Sequence, residues 1–401
     1  MLAGRRIWLA GIGGAGLSAY AVLAKAWGAE VAGWDRRETP YLRYVRRAGI
    51  PVTVAPDPPS PPAGFESVVA SMYARRVAGR SRAEFLAELV ALRRSIVVSG
   101  AHGKTTTAAM IAFCLDRLGY DPAFLIGGDV PQLGGNAGAG RGWLVVEGDE
   151  SDRTVASLRP EIAVVTNVDL DHHSTFASRA EVEELFREWL QHVPRVVRGE
   201  DVPPADISLA LPGEHNRRNA AWALATLELA GVRRDDAQRV LHEFTGVARR
   251  FERRGEAGGV TVVDDYAHNP AKVAAALAAA RERTNGRVLV AFQPHLFSRT
   301  RHLVRELAAA LAGADAVCIT DVYPGREEFV DGVAGKVTGK IVVDALTDVR
   351  PGLTTGWTPS LDDAAAFLAR RAHPGDLVLT VGAGDVDRVA TLVLDSLSTS
   401  T

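Results

Sequence analysis

Short apolar runs rich in β-branched residues alternate with alanine-rich helical patterns along almost the whole chain: RIWLA, SIVVS, VTVV, RVLVAF, AVCIT and DLVLTV each precede or follow a segment such as PAKVAAALAAARER. Runs this short and this apolar bury both faces most readily in parallel sheets covered by helices. The expected class is therefore α/β. Three stretches look like fresh starts: a strand, glycine turn and helix at 5–35, a second such unit beginning RRSIVVSGAHGKTTT, and a charged, glycine-rich stretch at 244–259. They divide the chain into expected domains 1–90, 91–245 and 246–401. Helix ends are marked locally. Gly119 is placed to stop a helix carrying Ile111, Cys114, Leu115 and Leu118 at i, i+3, i+4 and i+7, and Asn269–Pro270 reads as an N-cap followed by N1.

Bulk properties exclude several function classes. The 401 residues carry a formal net charge of −2, so no basic excess points to nucleic acid or to a membrane surface. No run of about 18 apolar residues could span a bilayer. The first residues lack the long apolar region and small-residue cleavage site of a secretion signal. Cys114 and Cys318 each sit in an apolar run, as buried free thiols of a reducing compartment do. The expectation is a cytoplasmic protein, monomeric or weakly dimeric.

The stretch SGAHGKTTT (99–107) follows the apolar run IVV directly. A glycine turn from strand to helix aims backbone N–H groups and the helix dipole at an anion. Lys104 can reach the terminal phosphates of a nucleotide, and the hydroxyl of Thr105 can hold Mg²⁺. The long form of the motif is not met, because Val98 stands where its first glycine would be; what stands here is GxxGKT, Gly100 to Thr105. Lysine is scarce in this chain, five against 41 arginines. A lysine inside a glycine loop is thus poorly explained as generic surface charge, and its slender ammonium suits a loop that closes on phosphates. Downstream, VVEGDESD (145–152) and TNVDLDHH (166–173) end apolar strands in acids and histidines, where an open α/β sheet places its ligands. Glu147 and His172 beside Thr105 would make a second ion site. The earlier loop GIGGAGLS, with Asp35 some twenty residues on, taken alone would suggest a dinucleotide.

These motifs in this order resemble the Mur ligase family of ATP-dependent amide-forming ligases. The likeness rests on GIGGAGLS (11–18), HGKTTT (102–107), IGG (126–128), VVEGDESD, TNVDLDHH, PGEHNRRN (212–219), ARRFE (248–252), DDYAHNP (264–270), FQPHLFSRT (292–300), DVYPGREE (321–328) and GAGD (382–385), which span nearly the whole chain. The resemblance implies an N-terminal Rossmann-like domain for a UDP-sugar, a central P-loop ATPase-like domain with a mostly parallel sheet, and a C-terminal Rossmann-like domain that closes on the site. It implies ATP and Mg²⁺ as cofactors. The GIGG, FQPH, DVY and GAGD motifs favour the member type that joins L-alanine to the lactyl carboxylate of UDP-N-acetylmuramate through an acyl phosphate. Other readings are a sister ligase adding a peptide, or a nucleotide-binding protein without ligase activity.

Carried over by motif, Lys104, Glu147 and His172 are the expected catalytic residues, with Thr105, Glu147 and His172 as metal ligands. Gly100, His102, Gly103, Lys104, Thr105, Thr106, Asn216, Asn219 and Arg250 are expected around ATP. Gly11, Gly13, Gly14 and Gly16 would carry the UDP diphosphate, with Asp35 near the uridine. His173, Tyr266, His268 and Arg299 are expected at the sugar substrate, and His295 lies inside a motif without an assigned role. The chain departs from the family's pattern at Asn269, Leu296, Asp169 and His173. It is also short between HVPRVV (192–197) and PGEHN, where relatives usually carry several strands.

Overall fold

Three sheets account for the alternation of strand and helix. The computed structural model describes residues 1–150, 152–170, 175–211, 213–325, 327 and 337–399. The chain divides into two compact units, Met1–Ala210 with Glu214–Val247, and Leu211–Gly213 with Ala248–Thr401.

The first unit holds two sheets. One is built from β1 (Arg6–Ala10), β2 (Glu30–Asp35), β3 (Val52–Val54), β4 (Glu66–Val69) and β5 (Arg80–Ser81) in the order β3-β2-β1-β4-β5, every pair parallel. The order reverses at β1, so the glycine turn that follows Ala10 opens at the switch point where such sheets bind ligands. The other comprises β6 (Ser95–Ser99), β7 (Ala123–Val130), β8 (Gly135–Ala139), β9 (Leu144–Glu147), β10 (Ile162–Val165) and β11 (Arg195–Arg198) in the order β11-β10-β6-β9-β7-β8. Only β8 runs antiparallel to its neighbour. Strand β6 sits in its middle, every residue buried, which is why SIVVS carries no polar alternation. The helix Lys104–Arg117 is covered by the sheet on one side and by the helices Glu214–Leu229 and Arg234–Leu241 on the other. Its residues 105–115 are all buried, and Ala108, Ala109 and Ala112 let its neighbours approach. It ends at Arg117, and Gly119 takes the left-handed turn the sequence predicts (φ +78°).

The two sheets of this unit are tied by side chains. The Asn136 amide of β8 donates to the Ala15 carbonyl (2.9 Å), Tyr44 and Arg43 both reach Asp129 (2.5 and 2.7 Å), and Arg82 pairs with Asp152 (2.8 Å). Between Arg198 and Glu214 the described residues form one 3₁₀ turn and no strand, so the region the sequence marks as short is a plain connection.

The second unit contains β12 (Glu252–Ala257), β13 (Val260–Asp265), β14 (Val288–Phe292), β15 (Ala316–Ile319), β16 (Thr354–Trp357) and β17 (Leu377–Val381), ordered β12-β13-β17-β14-β15-β16 with only β12 antiparallel. The expected α/β class with mostly parallel sheets is thus what the chain adopts. Asn269 caps the helix Pro270–Arg281 by accepting from the Lys272 N–H (2.9 Å).

One half-buried cation organises the chain where this sheet begins. Arg249, in the left-handed region at φ +59°, donates to Asp264 Oδ2 (3.0 Å) and to the carbonyls of Gly382 and Gly384 (both 2.8 Å). The Asp264 side chain is fully buried and also accepts from Thr380 Oγ1 (2.5 Å). Burial pushes its carboxyl up to about 6, with Arg249 pulling the other way. Replacing Arg249 by Leu removes the cation and leaves the carboxyl buried, a change expected to cost about 3–5 kcal/mol in urea unfolding. Because the folded-state pKa lies above the unfolded one, the folded chain holds this proton more tightly. Without the pull of Arg249 the carboxyl sits higher still, so the variant should regain stability as pH falls from above about 6 toward the ordinary carboxylate range, and the further change Asp264→Asn should abolish that gain. A pH-independent loss would show that the pair is not the source.

Candidate active site

From Ser99 at the end of β6 the chain must turn into a helix beginning at Lys104, and glycine makes this possible. Gly100 and Gly103 lie at φ +122° and +85°. Space also forbids a side chain at either: a Cβ would come 2.3 Å from Thr166 Oγ1 at Gly100 and 2.4 Å from Asn219 Oδ1 at Gly103. The N–H groups of the helix's first turn have no intrahelical acceptor, so the turn presents donors and the positive end of a dipole.

Lys104 folds back over this turn. Its ammonium donates to the Gly100 carbonyl (2.5 Å) and to Glu150, whose two oxygens each lie 3.0 Å away. Burial pulls the Lys104 pKa down, but Glu150, then Glu147 and Asp149, raise it above the ordinary lysine value, so the group stays charged. Glu150 is 2% exposed. In the sequence it belongs to an acidic run of the kind usually solvated, and no local signal there sets it apart from its neighbours.

The hydroxyl and carboxylate singled out for a divalent cation meet. Thr105 Oγ1 donates to Glu147 Oε1 (3.0 Å), and the Gly127 N–H donates to Glu147 Oε2 (2.8 Å). A Cβ at Gly127 would lie 2.6 Å from that oxygen, which explains the glycine of IGG. Strand order brings this about, because β9 pairs with β6 on one side and β7 on the other. Among the described residues no group of three or more His, Cys, Asp or Glu surrounds one point. Two hard oxygen donors beside a phosphate loop fit Mg²⁺, which keeps waters and takes further ligands from phosphates. His172 and His173 lie outside the described residues.

Asn216 and Asn219, on the first turns of the helix Glu214–Leu229, are buried behind the loop. The Asn219 amide donates to Asn216 Oδ1 (3.2 Å), and Asn219 stands against Gly103. Thr106 is buried in the helix, and His102 stands at the crown of the loop with its backbone bonded to Asn167. The other glycine turn, after β1, is equally confined. Gly11 is left-handed (φ +90°) and backs onto Ala70 and Tyr73; Gly14 donates to the Gly11 carbonyl (3.1 Å); a Cβ at Gly16 would touch Arg82. Asp35 is buried here and accepts from the Gly13 N–H (2.7 Å), so its carboxylate shapes the turn itself.

In the second unit Tyr266, His268, His295 and Tyr323 form a row of rings with centroids 5.4, 5.7 and 6.0 Å apart in turn. Arg299 reaches His295 Nδ1 (3.3 Å), and the Arg250 guanidinium lies 5.2 Å from the Tyr266 ring. Burial, with Lys272 and Arg299 adding to it, holds His268 well below the ordinary histidine pKa. Its Nδ1 lies 2.9 Å from the Tyr266 carbonyl, which can only accept, so the neutral ring carries its proton on Nδ1 and offers Nε2 as an acceptor. Sequence reasoning did not single out Asp265, which takes the N–H groups of Phe251 and Ala267 (both 2.8 Å) and so ties the turn at Phe251 to the backbone just after Tyr266.

Mostly parallel sheets, a phosphate loop and a strand-end carboxylate are the layout of an α/β nucleotide-using protein, and the chain belongs to the Mur ligase family. The Mur ligase family catalytic domain matches residues 6–94, the Mur ligase middle domain residues 98–203, and the Mur ligase glutamate ligase domain residues 249–384. The chain is 37% identical to the UDP-N-acetylmuramate–L-alanine ligase of Renibacterium salmoninarum over 458 residues, covering 98% of this chain and 96% of that protein. It is 36% identical to the Streptomyces coelicolor ligase of the same name over 452 residues, with 97% and 96% covered. Both spans exceed 401 residues, so these relatives carry stretches that have no counterpart here. Among solved structures, the UDP-N-acetylmuramate–alanine ligase of Thermotoga maritima gives a TM-score of 0.84 at 26% identity, covering 99% of this chain and 100% of that one. A murein peptide ligase from Psychrobacter arcticus shares the fold at a TM-score of 0.67 and 22% identity, covering 98% and 99%.

If Thr105 is a cation ligand, the near-isosteric change Thr105→Val should weaken Mg²⁺–ATP binding by about tenfold or more, the loss of one charge-assisted contact. Thermal unfolding without nucleotide should shift little. Calorimetric titration giving wild-type affinity would remove Thr105 from the site.

Proposed function

We propose that the chain forms the amide between L-alanine and the lactyl carboxylate of UDP-N-acetylmuramate, with conversion of ATP to ADP and phosphate, as a step of peptidoglycan precursor synthesis. The observation that carries this reading is the meeting of Lys104, Thr105 and Glu147 at one strand-to-helix turn. It is supported by likeness, along nearly the full chain, to ligases bearing that name.

A carboxylate is a poor electrophile, and phosphorylation gives it a leaving group. In the proposed reaction a carboxylate oxygen attacks the γ-phosphorus and the bond to ADP breaks. The alanine amine then attacks the acyl carbon, loses a proton, and phosphate leaves. Most of the catalysis is positioning and charge stabilisation. The turn Gly100–Lys104 would bind the β- and γ-phosphates through N–H groups and the Lys104 ammonium. Thr105 and Glu147, with His172, would hold Mg²⁺, which offsets phosphate charge when bound. Asn216 and Asn219 are assigned to the adenine side and Arg250 to the phosphates. Segment 1–90 would take the UDP-sugar, with the turn Gly11–Gly16 at its diphosphate and Asp35 near the uridine. Segment 91–245 would take ATP. Tyr266, His268 and Arg299 of segment 246–401 are assigned to the sugar substrate and the amino acid, and His173 of segment 91–245 is assigned to the sugar substrate. ATP and a UDP-sugar place the reaction in the cytoplasm.

The test is phosphate release in the presence of ATP, Mg²⁺ and UDP-N-acetylmuramate, with amino acids supplied one at a time. Release with L-alanine, and a product of the added mass, is expected; release with none of them would move the reading to a different acceptor. Lys104→Ala should abolish turnover with the circular dichroism spectrum unchanged, and retained turnover would sink the role given to Lys104. Arg299→Ala should raise KM for the UDP-sugar more than KM for ATP, and the reverse pattern would overturn the segment assignment.

A further inference from the structure

The crown of the phosphate loop is held by a segment that the motif does not contain. Past the end of β10, Thr166 and Asn167 run alongside residues 99–102 and continue the parallel pairing in which Val165 sits opposite Ser99. The Thr166 N–H donates to the Ser99 carbonyl (2.9 Å) and the Ala101 N–H to the Asn167 carbonyl (3.1 Å). At His102 the ladder is completed by a side chain instead of backbone. The Asn167 carboxamide accepts from the His102 N–H (Oδ1, 3.0 Å) and donates to the His102 carbonyl (Nδ2, 2.9 Å). One planar amide thus satisfies both polar groups of one loop residue, as a neighbouring strand would. Thr166 Oγ1 also reaches that carbonyl (2.7 Å).

This pairing sorts the donors of the loop. The N–H groups of Ala101 and His102 are taken up by Asn167 and turned away from an incoming anion. The helix's first turn, at Lys104, Thr105 and Thr106, lacks intrahelical acceptors for its N–H groups. We propose that Asn167 is a positioning residue for nucleotide binding: it fixes the crown at Ala101–His102, so that phosphate is taken by the helix-start N–H groups together with Lys104. The inference rests on reading this loop as the ATP site, and adds a residue outside the loop that governs its shape.

The change Asn167→Asp tests it. The side chain keeps its size and an acceptor for the His102 N–H, but loses the donor to the His102 carbonyl and sets a carboxylate oxygen against it. Affinity for Mg²⁺–ADP, by calorimetry, should fall about tenfold or more, with KM for the UDP-sugar within about twofold of wild type. Amide hydrogen exchange at residues 101–102 should accelerate while the core of β6 stays protected. Wild-type Mg²⁺–ADP affinity in Asn167→Asp would overturn the proposal. So would losses shared equally by ADP and the UDP-sugar with a matching drop in Tm, since that is the pattern of a purely structural residue. If Asn167→Asp does not fold, Asn167→Ser read by the same ADP-against-sugar split decides the matter. Failure of the wild-type protein itself to bind Mg²⁺–ADP would refute the ATP-site reading, and this inference with it.

Discussion

A strand that ends in the middle of a parallel sheet has only a few residues in which to become a helix, and the rest of the site depends on how residues 100–103 do this. Two left-handed glycines set the path, and Thr166 and Asn219 close around it so tightly that no Cβ fits. The turn is thereby a fixed object before any ligand arrives. A loop that had to be ordered by its ligand would lose affinity to that ordering. Burying the loop against Asn167 and Asn219 puts the conformational cost into folding instead.

Charge is arranged on the same principle. Lys104 and Glu150 are both withdrawn from solvent, and a buried ion pair is tolerable only when its hydrogen bonds are also met. The ammonium donates to the Gly100 carbonyl and to Glu150 Oε1, and Glu150 Oε2 stands at ion-pair distance, 3.0 Å. Glu147 is oriented from two sides, by Thr105 and by the Gly127 N–H, so its carboxylate is aimed before a cation is bound. Such supporting bonds separate a preorganised site from a mere gathering of charged residues.

In the second unit neighbouring residues of similar chemistry play opposite parts. Arg249 is drawn into the sheet, where its guanidinium satisfies Asp264 and two carbonyls, while Arg250 lies beside the Tyr266 ring. Asp264 and Asp265 divide the same way: Asp264 is sealed against Arg249 and Thr380, and Asp265 ties the turn at Phe251 to the backbone just after Tyr266. For the two aspartates the cause is alternation along β13, and for the two arginines it is the turn that precedes β12, where Arg249 takes a left-handed conformation. The motifs ARRFE and DDY therefore each contain one residue that holds the fold and one that stands nearer the site.

Sequence alone determined what is local. The succession of strand, glycine turn and helix at 95–117 was legible because β-branched runs, left-handed glycines and apolar periodicity act over a few residues. The cap at Asn269 was legible for the same reason. The α/β class followed from the alternation of such units. Tertiary structure alone decided which groups meet. Thr105 and Glu147 are 42 residues apart in the chain, and Lys104 and Glu150 are 46 apart. They touch because the order β11-β10-β6-β9-β7-β8 sets β9 against β6. Nothing in GDESD distinguishes a solvated acidic run from one folded under a helix, so Glu150 could not be told from its neighbours. Asn167 escaped notice for a related reason: its work is done on the backbone of His102, and a side chain that pairs with backbone leaves no complementary residue type for the sequence to display.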